Sequence, residues 1–150
     1  MTEPAVTQKM RQRWLAILAR APRERLEREF TRLAPPAHQL VRAPECGTVM
    51  LRGRAGGTGD AFHLGEATVT RCAARIGDHL GIGYLLGRDR RRAELIAVFD
   101  ALLQDPGRRG GLLRQLVDPL EQEQGEVVAA RSRAAAASRV EFFTMVRGEA

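Results

Sequence analysis

Apolar residues recur every three or four positions at the start of the chain, which is the spacing of one buried face of an α-helix. Met10, Trp14 and Leu18 give this pattern within residues 7–19, with charged and polar side chains between them. Pro22 suits the first turn of a second helix, which Pro35-Pro36 ends. The apolar face of this second helix is formed by Leu26, Phe30 and Leu33.

From residue 39 the pattern changes to short β-favouring runs that are separated by turn residues. Pro44 and Gly47 separate the first two runs, which predicts a hairpin there. Connections this short leave no room for crossover helices, so the strands are expected to pair antiparallel. The predicted strands are residues 39–43, 48–54, 62–70, 73–76 and 79–86.

Helical spacing returns after Gly87, and Asp89 can cap a helix that runs to about Gln104. The pattern leaves residues 107–120 undetermined, and one long helix is predicted from about Glu121 to Val146. We therefore predict a single α+β domain over residues 1–150. Its antiparallel sheet has four or five short strands and is flanked by N-terminal helices and C-terminal helices.

The chain has 150 residues, of which 44% are hydrophobic and 28% charged. This balance fits a globular protein and excludes the disordered class. No apolar run approaches the length of about 18 residues that a membrane-spanning helix needs. The N-terminus does not resemble a signal peptide, so we expect a cytoplasmic protein that does not bind membranes.

Two cysteines, Cys46 and Cys72, are expected to be reduced and buried, because a cytoplasmic compartment is reducing. Together with the three histidines they show no spacing typical of a metal site, so we predict no metal and no cofactor bound by this chain alone. No motif for a nucleophile elbow occurs either, and we predict no catalytic residue.

Two glycine segments have alternative interpretations. Gly81, Gly83 and Gly87 invite comparison with a dinucleotide-binding loop, but a G-x-G-x-x-x-G spacing within a strand is more typical of close backbone approach. Gly57 and Thr58 belong to a Gly-Gly-Thr-Gly segment that is either a flexible turn or a backbone nest for an anion.

The charges favour basic residues, with 24 lysines and arginines against 18 acidic residues. Four arginines cluster around the start of the third predicted helix, where cations are unfavourable. They either form a solvated face or bind a partner such as a phosphate group or another subunit's carboxylates. The four are Arg88, Arg90, Arg91 and Arg92.

The C-terminal segment is unusually apolar for a chain end, since such ends are commonly polar and frayed. Its apolar side chains lie either in the protein's own core or in an interface with a partner, and interfaces are enriched in aromatic residues and methionine. We take them as candidate interface residues: Phe142, Phe143, Met145 and Val146.

Three segments together carry a resemblance to a known family. They are residues 56–59 with 65–71, residues 83–94, and the long final segment 137–148. With them the chain resembles the PhnG family, the G subunits of the carbon–phosphorus lyase core complex of bacterial phosphonate breakdown. The resemblance extends from Trp14 to the end of the chain.

This resemblance implies a subunit that assembles with the H, I and J subunits and acts functionally with the L component. With H, I and L, such subunits are required for transfer of the ribose triphosphate moiety of ATP to an alkylphosphonate, with release of adenine. ATP is then a substrate of the complex. The resemblance implies no catalytic residue in this chain, so whether the chain is itself an enzyme stays open.

The expected role is structural, namely the burial of apolar surface against a larger subunit. As a further hypothesis, positive side chains contribute charge toward a triphosphate or a phosphonate: Arg71, Arg88, Arg139 and Arg147. The alternative is a basic nucleic-acid-binding module, although the seven aromatic residues are not interleaved with basic residues as a stacking platform requires. A stand-alone small-molecule enzyme is the third possibility.

Overall fold

The computed structural model describes residues 6–139 and shows an α+β fold, as predicted. Two helices precede a three-stranded sheet and three helices follow it. Before the sheet come α1 (Gln8–Arg20) and α2 (Arg23–Leu33); the strands are β1 (Gln39–Arg54), β2 (Ala61–Ile76) and β3 (His79–Leu86). After it come α3 (Arg90–Gln104), α4 (Pro106–Leu112), a π-helical turn (Leu113–Val117) and α5 (Asp118–Ala137).

The sheet is an antiparallel meander in the order β1-β2-β3, and the prediction of four or five short strands was wrong for the described residues. The predicted hairpin at residues 39–54 is one strand, because β1 is an edge strand on which Pro44 needs no ladder hydrogen bond. The pairing register shifts between Arg42 and Glu45, which accommodates the proline. Residues 62–70 and 73–76 likewise belong to one strand, β2.

Helix α3 is the centre of the fold, because it packs against the sheet on one side and against α1 and α2 on others. Most of it is buried, including Phe99 and the whole run from Leu95 to Leu103. Its backbone approaches β3 closely at Gly81 and Gly83. A Cβ atom would lie 1.8 Å from the Ala97 carbonyl oxygen at Gly81 and 1.9 Å from that of Ala93 at Gly83. These glycines serve helix–sheet packing.

A buried carboxylate ties three elements together. Asp100 of α3 is fully buried and accepts hydrogen bonds from the Trp14 indole, at 2.8 Å, and from the Ile82 backbone N–H, also at 2.8 Å. The Arg11 guanidinium donates to the same carboxylate at 2.7 Å and to the Leu80 carbonyl oxygen at 3.0 Å. The carboxylate therefore holds α1 against the free edge of β3.

The segment 107–120, which the pattern left undetermined, is helical. The Asp105 side chain accepts from the Gly107 N–H and caps α4, which begins at once after α3 ends. The π-helical turn leads into α5, which begins three residues before the predicted Glu121. Only Leu120 of α5 is buried, so most of this helix lies outside the core. The predicted extension to Val146 lies outside the described residues.

Replacing Gly83 by alanine is expected to lower the free energy of unfolding by about 1–3 kcal/mol, because the new Cβ overlaps the Ala93 carbonyl and forces α3 away from β3. Urea unfolding followed by circular dichroism measures the change. Gly47→Ala is the matched control, since nothing lies within 4 Å of a Cβ there. Equal midpoints for the two variants would contradict the close packing.

Asp100→Asn is expected to cost about 3 kcal/mol, because it removes the charge that compensates the Arg11 guanidinium and mispairs a buried hydrogen-bond network. Thermal and urea unfolding measure this loss. Asp60→Asn, at an exposed position, should change the unfolding free energy by less than about 0.5 kcal/mol. A fully stable Asp100→Asn variant would show that the network contributes little.

Candidate functional site

A two-stranded arm extends the sheet beyond the helices. The pairing of β2 with β3 stops at Val69, opposite Leu86, so residues 61–68 of β2 pair only with β1. We call residues 48–54 and 61–68 the apolar arm. Eight residues of β-strand make it about 25 Å long.

The arm exposes large apolar side chains. Met50 is 57% exposed and Leu64 66% exposed, and Leu51 and Phe62 are also exposed. The Phe62 ring lies beside Gly53, where a Cβ would be 3.5 Å from it. A two-stranded ribbon is marginally stable in water on its own, and contiguous exposed apolar surface marks interaction sites. The arm has the properties of a docking element.

The sheet face opposite α3 continues this surface. Along β3, Leu80, Ile82, Tyr84 and Leu86 are all exposed and alternate with buried residues. Side chains that pair across antiparallel strands share a face, so Leu86 lies on the same face as Val69, where the arm begins. We call this the outer sheet face; it adjoins the arm at Val69 and also carries Arg71 and Arg75 of β2.

The residues predicted to contact an anion lie far apart. Gly57 and Thr58 form the turn at the tip of the arm, with the Arg54 guanidinium donating to the Gly59 carbonyl oxygen. Arg71 lies on the outer sheet face, ten residues of strand from Ala61 at the arm's tip, which is about 30 Å. One small anion cannot contact both places. The anion role of these residues stays a prediction.

Arg71 and Arg88 have different surroundings. The Arg71 Nε donates to Glu45 at 2.6 Å, and this hydrogen bond lowers the pKa of the Glu45 carboxyl. Arg88 lies in the turn between β3 and α3 and is exposed. Arg139 follows the end of α5 and is also exposed. The remaining predicted residues lie outside the described part of the chain: Arg147, Phe142, Phe143, Met145 and Val146.

The arginines at the start of α3 have different hydrogen-bond partners and therefore different roles. Arg91 is held between two helices, where it donates to Glu27 of α2 at 2.8 and 3.0 Å and pairs with Glu94 at 3.2 Å. Its guanidinium also lies 5.1 Å from the centre of the Phe30 ring. Arg91 is therefore structural, whereas Arg92 turns toward the β3 edge, where it reaches the Leu86 carbonyl oxygen.

The two cysteines differ, which corrects the expectation that both are buried. Cys46 is exposed on β1, 3.5 Å from the Thr70 hydroxyl, and this contact, with Arg90 and Arg88 nearby, lowers the pKa of its thiol. Cys72 is in the core, and burial raises the pKa of its thiol to about 11. The sequence carried no signal for the Cys46 surroundings, because Thr70 and Arg90 are distant in the chain.

Residues 6–139 contain neither a metal-ligand cluster nor a helix suited to span a membrane. No group of three or more His, Cys, Asp or Glu side chains there is placed to hold a metal ion. No helix in that part of the chain is long and apolar enough to cross a bilayer.

Comparison with known proteins agrees with the resemblance of the sequence motifs. The profile of the family described as "Phosphonate metabolism protein PhnG" matches residues 9–148. A curated protein of Rhizobium meliloti (strain 1021) is described as alpha-D-ribose 1-methylphosphonate 5-triphosphate synthase subunit PhnG. This chain is 48% identical to it over 113 residues, with 73% of this chain and 70% of that protein covered.

In the folded full-length chain, iodoacetamide at pH 7.5 is expected to alkylate Cys46 and to spare Cys72, because a lowered pKa supplies the reactive thiolate and burial denies access. Mass spectrometry of peptides locates the label. Arg90→Gln should shift the pH midpoint of Cys46 alkylation upward, since the guanidinium no longer stabilises the thiolate. Rapid labelling of Cys72 without denaturant would contradict this arrangement.

Proposed function

Because the chain belongs to the PhnG family of phosphonate metabolism proteins, we propose that it completes a carbon–phosphorus lyase core complex by docking through its apolar arm and outer sheet face. Its relative is a subunit of alpha-D-ribose 1-methylphosphonate 5-triphosphate synthase. The reaction proposed for the complex is transfer of the ribose triphosphate moiety of ATP to an alkylphosphonate, with release of adenine.

The exposed apolar surface is the observation that carries this proposal. Leu64, Met50 and Leu86 are each more than half exposed, although a large part of the core is well packed. Leaving such side chains in water forfeits about 25 cal/mol for each Å² of apolar surface, and a partner that covers them recovers it. Obligate interfaces of about 2,000 Å² or more use this kind of surface.

The partners in the proposal are the H, I and J subunits of the core complex, with the L component acting in the same reaction. The place of action is the cytoplasm. In the proposal, docking holds a partner's active site in shape, so the chain can be indispensable without contributing a reacting group.

Charge is the second contribution in the proposal. Arg88 and Arg139 have exposed guanidinium groups, and in an assembled complex they would add positive potential near a triphosphate or a phosphonate. Arg71 is already bound to Glu45, so it is the less available of the predicted residues on the sheet.

Substituting both Phe62 and Leu64 by serine is expected to remove this chain from the complex. Co-expression of the variant with tagged H, I and J subunits, followed by affinity purification, should recover less than about a tenth of the wild-type amount. Val41→Ser is the matched control, since Val41 is 52% exposed on β1 outside the arm. Adenine release from ATP and methylphosphonate, with the L component added, should fall in parallel with recovery.

Thermal unfolding of the isolated variants separates docking from folding, because exposed substitutions should change the unfolding free energy by less than about 0.5 kcal/mol. Full recovery of the double variant in the complex would contradict docking through the arm. Undiminished adenine release by a complex that lacks this chain entirely would contradict the proposed function itself.

A further inference from the structure

A cleft of about 500 Å³ opens between α1 and the C-terminal half of β3. The helix side of the cleft presents small residues, Ala16 and Ala19, and then Arg20. The other side is formed by Tyr84 and Leu86 of β3 with Arg92 of α3. The volume falls in the range of about 300–1,000 Å³ that small-molecule sites occupy.

The free edge of β3 presents backbone polar groups, including N–H donors, to this cleft. Leu80 and Ile82 point their polar backbone groups away from β2, since the Leu80 carbonyl accepts from Arg11 and the Ile82 N–H donates to Asp100. The pairing with β2 has no register shift, so Tyr84 and Leu86 point both their N–H and their C=O groups to the same edge, where the Leu86 carbonyl faces Arg92. Beside them, Ala16 and Ala19 offer no side-chain acceptor.

Arg92 brings an unsatisfied donor to the same place. Its Nε is buried and has no hydrogen-bond partner within residues 6–139. Its Nη2 makes only a long contact, 3.5 Å, with the Leu86 carbonyl oxygen. A buried donor without an acceptor costs about 1–3 kcal/mol, and a ligand oxygen that accepts from it recovers that cost.

Arg20 adds a second positive charge, and the described residues show no carboxylate paired with either Arg20 or Arg92. Arg91 differs in this respect, since it is paired with Glu27 and Glu94, and so does Arg23 of α2, which lies 3.8 Å from Asp89. The cleft thus collects two guanidinium groups and two strand N–H groups with no anion among them.

We propose that this cleft binds a phosphate-type anion, held by the guanidinium groups of Arg20 and Arg92 and by the N–H groups at the β3 edge. Planar guanidinium groups bind phosphate oxygens with two hydrogen bonds each, which favours this class of anion. The identity of the anion rests on the proposed function, in which both a triphosphate and a phosphonate occur. The site itself stands on the cleft alone.

The test is titration of inorganic triphosphate into the full-length chain, by isothermal calorimetry at constant ionic strength. Arg92→Gln and Arg20→Gln are each expected to raise the Kd by about tenfold, since each removes a charged donor pair. Arg28→Gln is the matched control, because Arg28 is exposed on α2 and lines no part of the cleft. Ala19→Glu should weaken binding as well, by placing a carboxylate in the cleft.

Displacement of triphosphate by methylphosphonate would identify the phosphonate group as the ligand, and failure to displace it would identify the triphosphate chain; both support the site. An unchanged Kd in Arg92→Gln, or an equal loss in Arg28→Gln, would overturn it. Complexes carrying Arg92→Gln that fail to assemble, while the isolated variant still binds triphosphate normally, would assign the cleft to a partner's carboxylate instead. Assembly and adenine release by the wild-type complex report on the proposed function separately.

Discussion

The contact between the α3 backbone and β3 fixes the positions of most other parts of the molecule. Because Gly81 and Gly83 have no side chains, the helix lies directly on the strand. That distance places the Asp100 carboxylate at the edge of β3, within reach of the Ile82 N–H and of Arg11 and Trp14 on α1. Helix α1 is therefore fastened to the first half of β3, while beside the second half it presents only small residues and Arg20. The cleft results from this one-sided attachment.

The same contact explains why the sheet is uneven. Helix α3 covers the eight residues of β3 and the part of β2 that pairs with them, whereas β1 and β2 have sixteen residues each. Between Ala61 and Thr68, β2 pairs only with β1 and has no third strand beside it. A two-stranded ribbon is only marginally stable in water, so the arm gains stability when a partner covers it. The part of the sheet that α3 covers has its own hydrophobic core and does not need this contact.

The sequence was informative where one local rule decides the structure. Helical periodicity placed α1, α2 and α3 within one or two residues, and the glycines at 81 and 83 were correctly ascribed to close packing. It failed where the sheet context overrides a local signal, since Pro44 reads as a turn but lies on an edge strand. Asp100 had a recognisable signal, because it is an acidic residue within an otherwise apolar helix face. The cleft had none, since Arg20, Tyr84 and Arg92 meet only in the folded chain.

The distribution of charge indicates how the two surfaces cooperate. On the outer sheet face the Arg71 guanidinium is already paired with Glu45, so it has less free charge to offer than an unpaired arginine. At the cleft the opposite holds, because two guanidinium groups lie where the described residues supply no counter-charge. Guanidinium groups without a paired carboxylate suit an anion that enters and leaves. Tyr84 and Leu86 belong both to the outer sheet face and to the wall of the cleft, so in the proposal a partner docked on that face would lie beside the bound anion.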